Sequence, residues 1–238
     1  MAAKVITVTN QKGGSGKTTV AVNLAGTLGR RGYEVLLADI DPQGSASHYV
    51  SAAPEGREMS VTIAGLSKTG DRVHKYIQKF SDQYDYIVVD SPPVVDSKGT
   101  RSALSISHLV IIPVQPAPLD FESTKATLEL IENTQVQNRR LKARLLATAC
   151  PRTNIAETML EALGDVRVPL MDASLGYRTA YREAAGEGAI VHDMGYTAQA
   201  AAEEVDALTK EVLDLLHPRG VPKPVKREKP AADEDDEE

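Results

Sequence analysis

Between an apolar run, Val5 to Thr9, and a helix-forming run, Lys17 to Arg30, lies the stretch Asn10-Gln-Lys-Gly-Gly-Ser-Gly-Lys-Thr-Thr19. No other part of the chain restricts its fold as strongly. A strand that enters a glycine-rich turn and leaves as a helix turns a row of backbone N–H groups toward one point. Gly13, Gly14 and Gly16 let the backbone wrap closely around an anion, and the helix beginning at Lys17 adds the positive end of its dipole. The chemistry this predicts is phosphate binding, with Ser15 and Thr19 completing the cradle. Lys17 is placed to reach the β- and γ-phosphates of a nucleotide, and the Thr18 hydroxyl to ligate Mg²⁺. The strict form of this loop has glycine at position 11, where this chain carries Gln11. The competing reading is a glycine-rich turn that binds nothing.

Further apolar runs at Val35–Asp39, Tyr86–Asp90, Leu109–Val114, Leu145–Ala149 and Val166–Leu170 are expected strands. Asp71 to Phe80 is expected to be helical. Asp120 is expected to cap a helix running to about Gln137, with Phe121, Thr124, Leu128 and Ile131 on one face. In the last expected helix, Thr197 to Leu216, Ala201, Val205, Leu208, Val212 and Leu215 follow the 3.6-residue period. Buried-looking strands alternating with helices predict an α/β fold, a mostly parallel twisted sheet with helices on both faces. From Pro218 prolines sit among lysines and an acidic run follows, so residues 1–217 are expected to form the folded domain and 218–238 a disordered tail.

Two strand-end carboxylates have roles that follow from their place. Asp90 ends an apolar strand next to the phosphate loop, where it can hold a Mg²⁺-bound water; the alternative is a strand-end turn cap. Asp39 is open between support of the metal site and a structural strand terminator.

Composition removes several function classes. Cys150 is the only cysteine, which excludes an intramolecular disulfide and any Cys-pair metal or iron–sulfur site within one chain. The first apolar run is too short for a signal-peptide core, and no stretch approaches the roughly 20 apolar residues of a membrane span, so a cytoplasmic location is expected. The formal net charge of −6 is uneven: Asp233 to Glu238 are all acidic, while Arg219 to Lys229 hold five basic residues and one Glu. A nucleic-acid surface would therefore have to be a local patch.

The departure at Gln11 carries a resemblance. Lys-Gly-Gly-x-Gly-Lys-Thr-Thr resembles the deviant Walker A motif of the ParA/MinD family of P-loop NTPases. Leu36-Leu-Ala-Asp-Ile-Asp-Pro-Gln-Gly44 is similar to that family's second acidic motif, and Tyr84-Asp-Tyr-Ile-Val-Val-Asp-Ser-Pro-Pro93 to its Walker B strand end. Leu109 to Phe121 resembles the small ParF-type partition ATPases. The resemblance runs from Lys4 to about Leu216. It implies an ATPase using ATP and Mg²⁺, with Lys12 crossing a dimer interface to the partner's nucleotide. Asp41 would orient the attacking water, alongside Thr18 and Asp90 in the metal set. Thr148 to Arg152 would lie on the side where the family holds the base, with Arg152 either stacking there or standing at the surface.

The function it implies is positioning. An ATP-sandwich homodimer would bind DNA without sequence preference and sit on the nucleoid. A ParB-like or cargo-adaptor protein would stimulate hydrolysis, distributing a plasmid, a chromosome locus or a protein body such as a carboxysome. Because the chain enters its first strand at once, no helix-turn-helix extension is expected. Gly176 to Ala185 resembles the region near the family's DNA-contacting surface, and in a helix Arg178 and Arg182 would share a face; an ordinary solvated helix is the alternative. Two other readings remain: a metabolic P-loop enzyme, and a MinD-like membrane-cycling ATPase, against which the acidic chain end argues, so no membrane partner is expected.

Overall fold

A computed structural model describes residues 2–94, 97–116, 118–150 and 167–224, with 118–123 described as helical backbone alone. Its strands are β1 (Lys4–Val8), β2 (Val35–Asp39), β3 (Thr62–Gly65), β4 (Tyr86–Asp90), β5 (Leu109–Val114), β6 (Lys142–Cys150) and β7 (Leu170–Gly176). The described helices are α1 (Lys17–Arg30), α2 (Ser45–Ser51), α3 (Val73–Phe80), α4 (Lys98–Leu104), α5 (Pro118–Gln137), α6 (Ala180–Glu187) and α7 (Gln199–Leu216). All seven strands form one parallel sheet in the order β3-β2-β4-β1-β5-β6-β7.

Why the central strands read as unbroken apolar runs is plain from their two faces. On β4, Tyr86 and Val88 join Ile6, Leu37 and Ile111 of neighbouring strands in a core covered by α1 and α7. Ile87 and Val89 point the other way, with Leu36 and Ala38, into a core covered by α3. Farther along, Val110, Ile112 and Leu145 pack against Ile131 of α5. A strand buried on both sides has no polar position to alternate with. Helix α1 lies tight on its neighbours: a Cβ at Gly29 would stand 2.0 Å from the Ser60 carbonyl oxygen.

The strand order positions the site. The chain leaves β1 toward β2 and β3 on one side, returns to β4, then crosses β1 to reach β5 on the other. At that switch point the carboxyl ends of β1, β2, β4 and β5 open into a crevice, the usual ligand position of an open α/β sheet.

The expected α/β architecture is what the chain adopts, with local corrections. The last strand is Leu170–Gly176 rather than Val166–Leu170. It is an edge strand, with Met171, Ala173 and Leu175 buried and Asp172 and Ser174 exposed, and so shows an alternating pattern instead of an apolar run. Helix α5 begins at Pro118, so Asp120 lies inside it; Thr124 and Ile131 are buried as expected, while the Phe121 side chain is outside the described residues. Of the positions expected to be buried on α7, Ala201, Val205, Leu208 and Val212 are fully buried and Leu215 is only half-buried. Beyond the expected boundary at Pro218 the chain still meets the domain: the Tyr33 hydroxyl donates to the Pro222 carbonyl at 2.8 Å. Residues 225–238, which hold most of the expected tail, are outside the described residues.

Candidate functional site

The glycine-rich turn hangs on its neighbours by side chains from three elements. Asn10, which follows β1, donates to the Pro113 carbonyl at 2.8 Å and accepts the Lys12 N–H at 3.3 Å. Thr127 of α5 accepts the Gln11 N–H at 3.1 Å. On the far limb Gln115 donates to the Gly14 carbonyl at 2.8 Å, and Thr148 at the end of β6 donates to the Ser15 carbonyl at 2.9 Å. Gly14 and Gly16 take φ of +75° and +92°, values a side chain would strain. The Gly14 and Ser15 carbonyls are thus taken up by neighbouring side chains.

Lys17 opens α1, and its Nζ reaches back to donate to the Lys12 carbonyl at 2.8 Å. It is buried, at 7% exposure. Burial pushes its ammonium below the ordinary lysine range, against the pull of the Asp90 and Asp41 charges. One residue on, the Thr18 hydroxyl donates to Asp90 Oδ2 at 2.8 Å. Asp90 is fully buried and its other oxygen, Oδ1, has no hydrogen-bond partner. Burial raises its carboxyl to about 7; the Thr18 hydrogen bond opposes this, the Asp39 and Asp41 charges add to it, and Lys17 counters them. An orphaned carboxylate oxygen beside a threonine hydroxyl fits a hydrated divalent cation, which needs few protein ligands when phosphate oxygens supply the rest. Among the described residues no three His, Cys, Asp or Glu side chains converge on a metal position.

The other two aspartates divide. Asp39 Oδ1 accepts the Asp41 N–H at 3.1 Å, and Oδ2 accepts both the amide and the hydroxyl of Ser47 at 2.8 Å. That satisfies both oxygens and ties β2 to α2, which favours the structural reading of Asp39. Asp41 Oδ1 accepts the Gln43 N–H at 2.9 Å.

Beside the loop a cavity of about 230 Å³ is walled by Gly16, Thr19, Gln115, Thr148, Tyr177 and Arg178, among others. Ala149, also on this wall, holds φ at +48°, a left-handed strain on the order of 1 kcal/mol for a residue with a Cβ. A larger cavity of about 570 Å³ lies between the end of α1 and Arg57, Glu187 and Asp193. It contains no phosphate-loop residue, so volume alone does not define the site. Arg152 is outside the described residues.

The expected shared helix face of Arg178 and Arg182 does not form. Helix α6 starts at Ala180, leaving Arg178 in the preceding corner. Arg178 is held by Glu204, with Nη2 to Oε1 at 2.6 Å. Arg182 stacks over Tyr177, 5.3 Å from the ring centroid, and donates to its hydroxyl at 3.2 Å. Both arginines line the cavity. Sequence reasoning passed over Gln115, Thr127 and Glu204, because each acts on the loop or the cavity wall from a distant part of the sequence.

A backbone anion cradle at the switch point of a parallel sheet, with a buried lysine inside it and a threonine–aspartate pair below, defines a P-loop nucleotide-binding protein. Within that class the chain belongs to the family described as the CobQ/CobB/MinD/ParA nucleotide binding domain, which residues 6–191 match. It is 33% identical over 212 residues to maintenance of carboxysome distribution protein A of Halothiobacillus neapolitanus, covering 89% of this chain and 97% of that protein. It is 29% identical over 197 residues to the sporulation initiation inhibitor protein Soj of Bacillus subtilis, covering 66% of this chain and 78% of that one. Its fold is shared with the septum site-determining protein MinD of Pyrococcus horikoshii in complex with Mg-ADP, at a TM-score of 0.72 and 20% identity over 92% of this chain and 99% of that one.

Proposed function

We propose that the chain is an ATP-dependent positioning ATPase. It would use Mg²⁺, close as an ATP-sandwich homodimer and bind DNA without sequence preference. A ParB-like or cargo-adaptor partner would stimulate its slow hydrolysis, so that a plasmid, a chromosome locus or a protein cargo is distributed over the nucleoid in the cytoplasm. The observation that carries the reading is the loop itself. Lys17 fills the role every P-loop needs, and its ammonium meets the backbone carbonyl of a second lysine in the same loop, Lys12.

Each residue then has a task. Amides from Gly13 to Thr19 hold the phosphates, and Lys17 leaves the Lys12 carbonyl to meet their β- and γ-oxygens. Thr18 and Asp90, with Asp41 nearby, would hold the metal, which when bound would neutralise phosphate charge. Asp41 orients the attacking water, and the Lys12 side chain adds positive charge across the dimer. The cavity walled by Thr148 and Tyr177 receives the base.

Against the membrane-cycling alternative, the apolar face of α7 is committed to the core, and no described helix is long and apolar enough to cross a membrane. A metabolic enzyme of the same family is the reading to separate by experiment. Filter binding with random-sequence duplex at low salt should show binding that needs ATP and weakens steeply as salt rises. Equal binding with ADP, or none at any salt, would overturn the positioning reading. Because Arg178 and Arg182 line the nucleotide cavity, their reversal to Glu as a test of DNA contact must be read beside ATP affinity.

A further inference from the structure

The corner between β7 and α6 is governed by one carboxylate that stands outside the cavity. Glu204, on α7, accepts the Gly176 N–H at 3.0 Å and the Tyr181 hydroxyl at 2.8 Å through Oε2. Through Oε1 it accepts Arg178 Nε at 2.8 Å and Nη2 at 2.6 Å. Gly176, Arg178 and Tyr181 all line the cavity beside the phosphate loop, as does Tyr177, which follows Gly176 directly. The Glu204 side chain is 18% exposed and that of Arg178 28%, so the pair is partly desolvated and its hydrogen bonds are charge-assisted.

Part of this arrangement is edge protection. As the last strand of the sheet, β7 leaves N–H groups without a neighbouring strand, and α7 supplies carboxylates in its place. Glu211, seven residues after Glu204, accepts the Asp172 and Ala173 N–H groups at 3.2 and 2.9 Å. Asp172 and Ala173 are not cavity residues. Glu211 thus performs the edge task alone, whereas Glu204 performs it and also gathers the cavity's arginine and tyrosine. The site leaves no slack: a Cβ at Gly176 would stand 3.0 Å from Glu204 Oε1 and 3.4 Å from Arg178 Nε.

We infer that Glu204 is a positioning residue for nucleotide binding, holding Gly176, Arg178 and Tyr181 as the wall that receives the base. The inference rests on the nucleotide reading above. Through Glu204 the cavity is tied to α7, an element that carries no phosphate-loop residue.

Three variants of the full chain test it by calorimetry with Mg-ADP and by the KM–kcat split for ATP. Glu204→Gln is expected to raise the Kd for Mg-ADP and the KM for ATP by about tenfold, the scale of one charged hydrogen-bond network loosened, with turnover recovering at saturating ATP. Gly176→Ala, which leaves the carboxylate in place but crowds it, is expected to shift both in the same direction. Glu211→Gln is expected to lower Tm about as much as Glu204→Gln and to leave the Kd unchanged. Wild-type affinity in both Glu204→Gln and Gly176→Ala would overturn the inference, as would equal Kd shifts in Glu204→Gln and Glu211→Gln. If the wild-type chain itself bound no nucleotide, the nucleotide reading would fall first and the inference with it.

Discussion

The Lys17 ammonium lies 2.8 Å from the Lys12 backbone carbonyl and so closes the glycine-rich loop on itself. The contact keeps a buried ammonium paired and closes the chain between Lys12 and Lys17 into a ring. Lys17→Ala removes both the ring closure and the point charge. ATP affinity with Mg²⁺ present is expected to fall at least about 100-fold, the cost of charge-assisted phosphate contacts. Calorimetry showing unchanged affinity would remove the P-loop assignment.

Lys12→Ala leaves that carbonyl where it is. ATP affinity should stay within about twofold of wild type, because the carbonyl that Lys17 meets belongs to the backbone. Partner-stimulated turnover should collapse, because the proposed task of the side chain lies across the dimer. Asp41→Ala should give the complementary phenotype, an ATP-bound dimer that persists on size-exclusion chromatography. Normal stimulated turnover in the first variant, or rapid return to monomer in the second, would contradict these roles.

The Thr18 hydroxyl donates a hydrogen bond to Asp90. Thr18→Val should leave ADP affinity in EDTA near the wild-type value and abolish most of the gain that Mg²⁺ brings. Equal Mg²⁺ enhancement in wild type and variant would move the metal site elsewhere.

His108 offers a pH test far from the loop. Its Nδ1 accepts the Val5 N–H at 3.1 Å. Burial, then the charges of Lys4, Arg140 and His217, push its imidazole down to about 4. Between the ordinary value of 6.5 and about 4 the unfolded chain takes up a proton that the folded chain refuses. Its contribution to stability is therefore complete above that window and lost as pH falls through it. Asp90, raised to about 7, works in the opposite sense, so the informative quantity is the difference between variants. His108→Asn keeps an acceptor for Val5 without titrating; its Tm should fall less than that of wild type between pH 7 and pH 4.5. Parallel Tm profiles would refute the assignment.

The chain after α7 divides at a testable point. Truncation after Pro224 should leave Tm unchanged. Truncation after Pro218 also removes the carbonyl that Tyr33 meets, and should lower Tm by about 2–4 °C, the equivalent of roughly 1 kcal/mol in a domain this size. Differential scanning calorimetry of the two truncations decides it; equal Tm values would mean that the Tyr33 contact contributes nothing.

The parts legible in the residues alone were those written by local rules. Glycines followed by Lys17 and Thr18 specify an anion cradle wherever a strand precedes and a helix follows. The doubly buried strands announced themselves as continuous apolar runs, and that pattern required a parallel sheet with helices on both sides. Helix α7 was visible from its period, although Leu215 was placed a little too deep. Strand β7 was misplaced for the opposite reason: with one side exposed its pattern alternates, and Met171-Asp-Ala-Ser-Leu175 is weak against the apolar segment before it. The seven-residue helices α2 and α4 carried too few turns to show a period.

What tertiary structure alone decided is which distant side chains complete the site. Asp90 meets Thr18 across 72 positions of sequence, and Thr148 meets the Ser15 carbonyl across 133, because the strand order sets the ends of β1, β4 and β6 along one rim. Arg178 read as a surface cation by its spacing from Arg182, and became a cavity wall because the helix begins two residues later and Glu204 of α7 lies within reach. Spacing along a chain determines which groups share a local element; which of them desolvate and pair one another depends on how the elements pack, and that is settled only when the sheet closes its edge against α7.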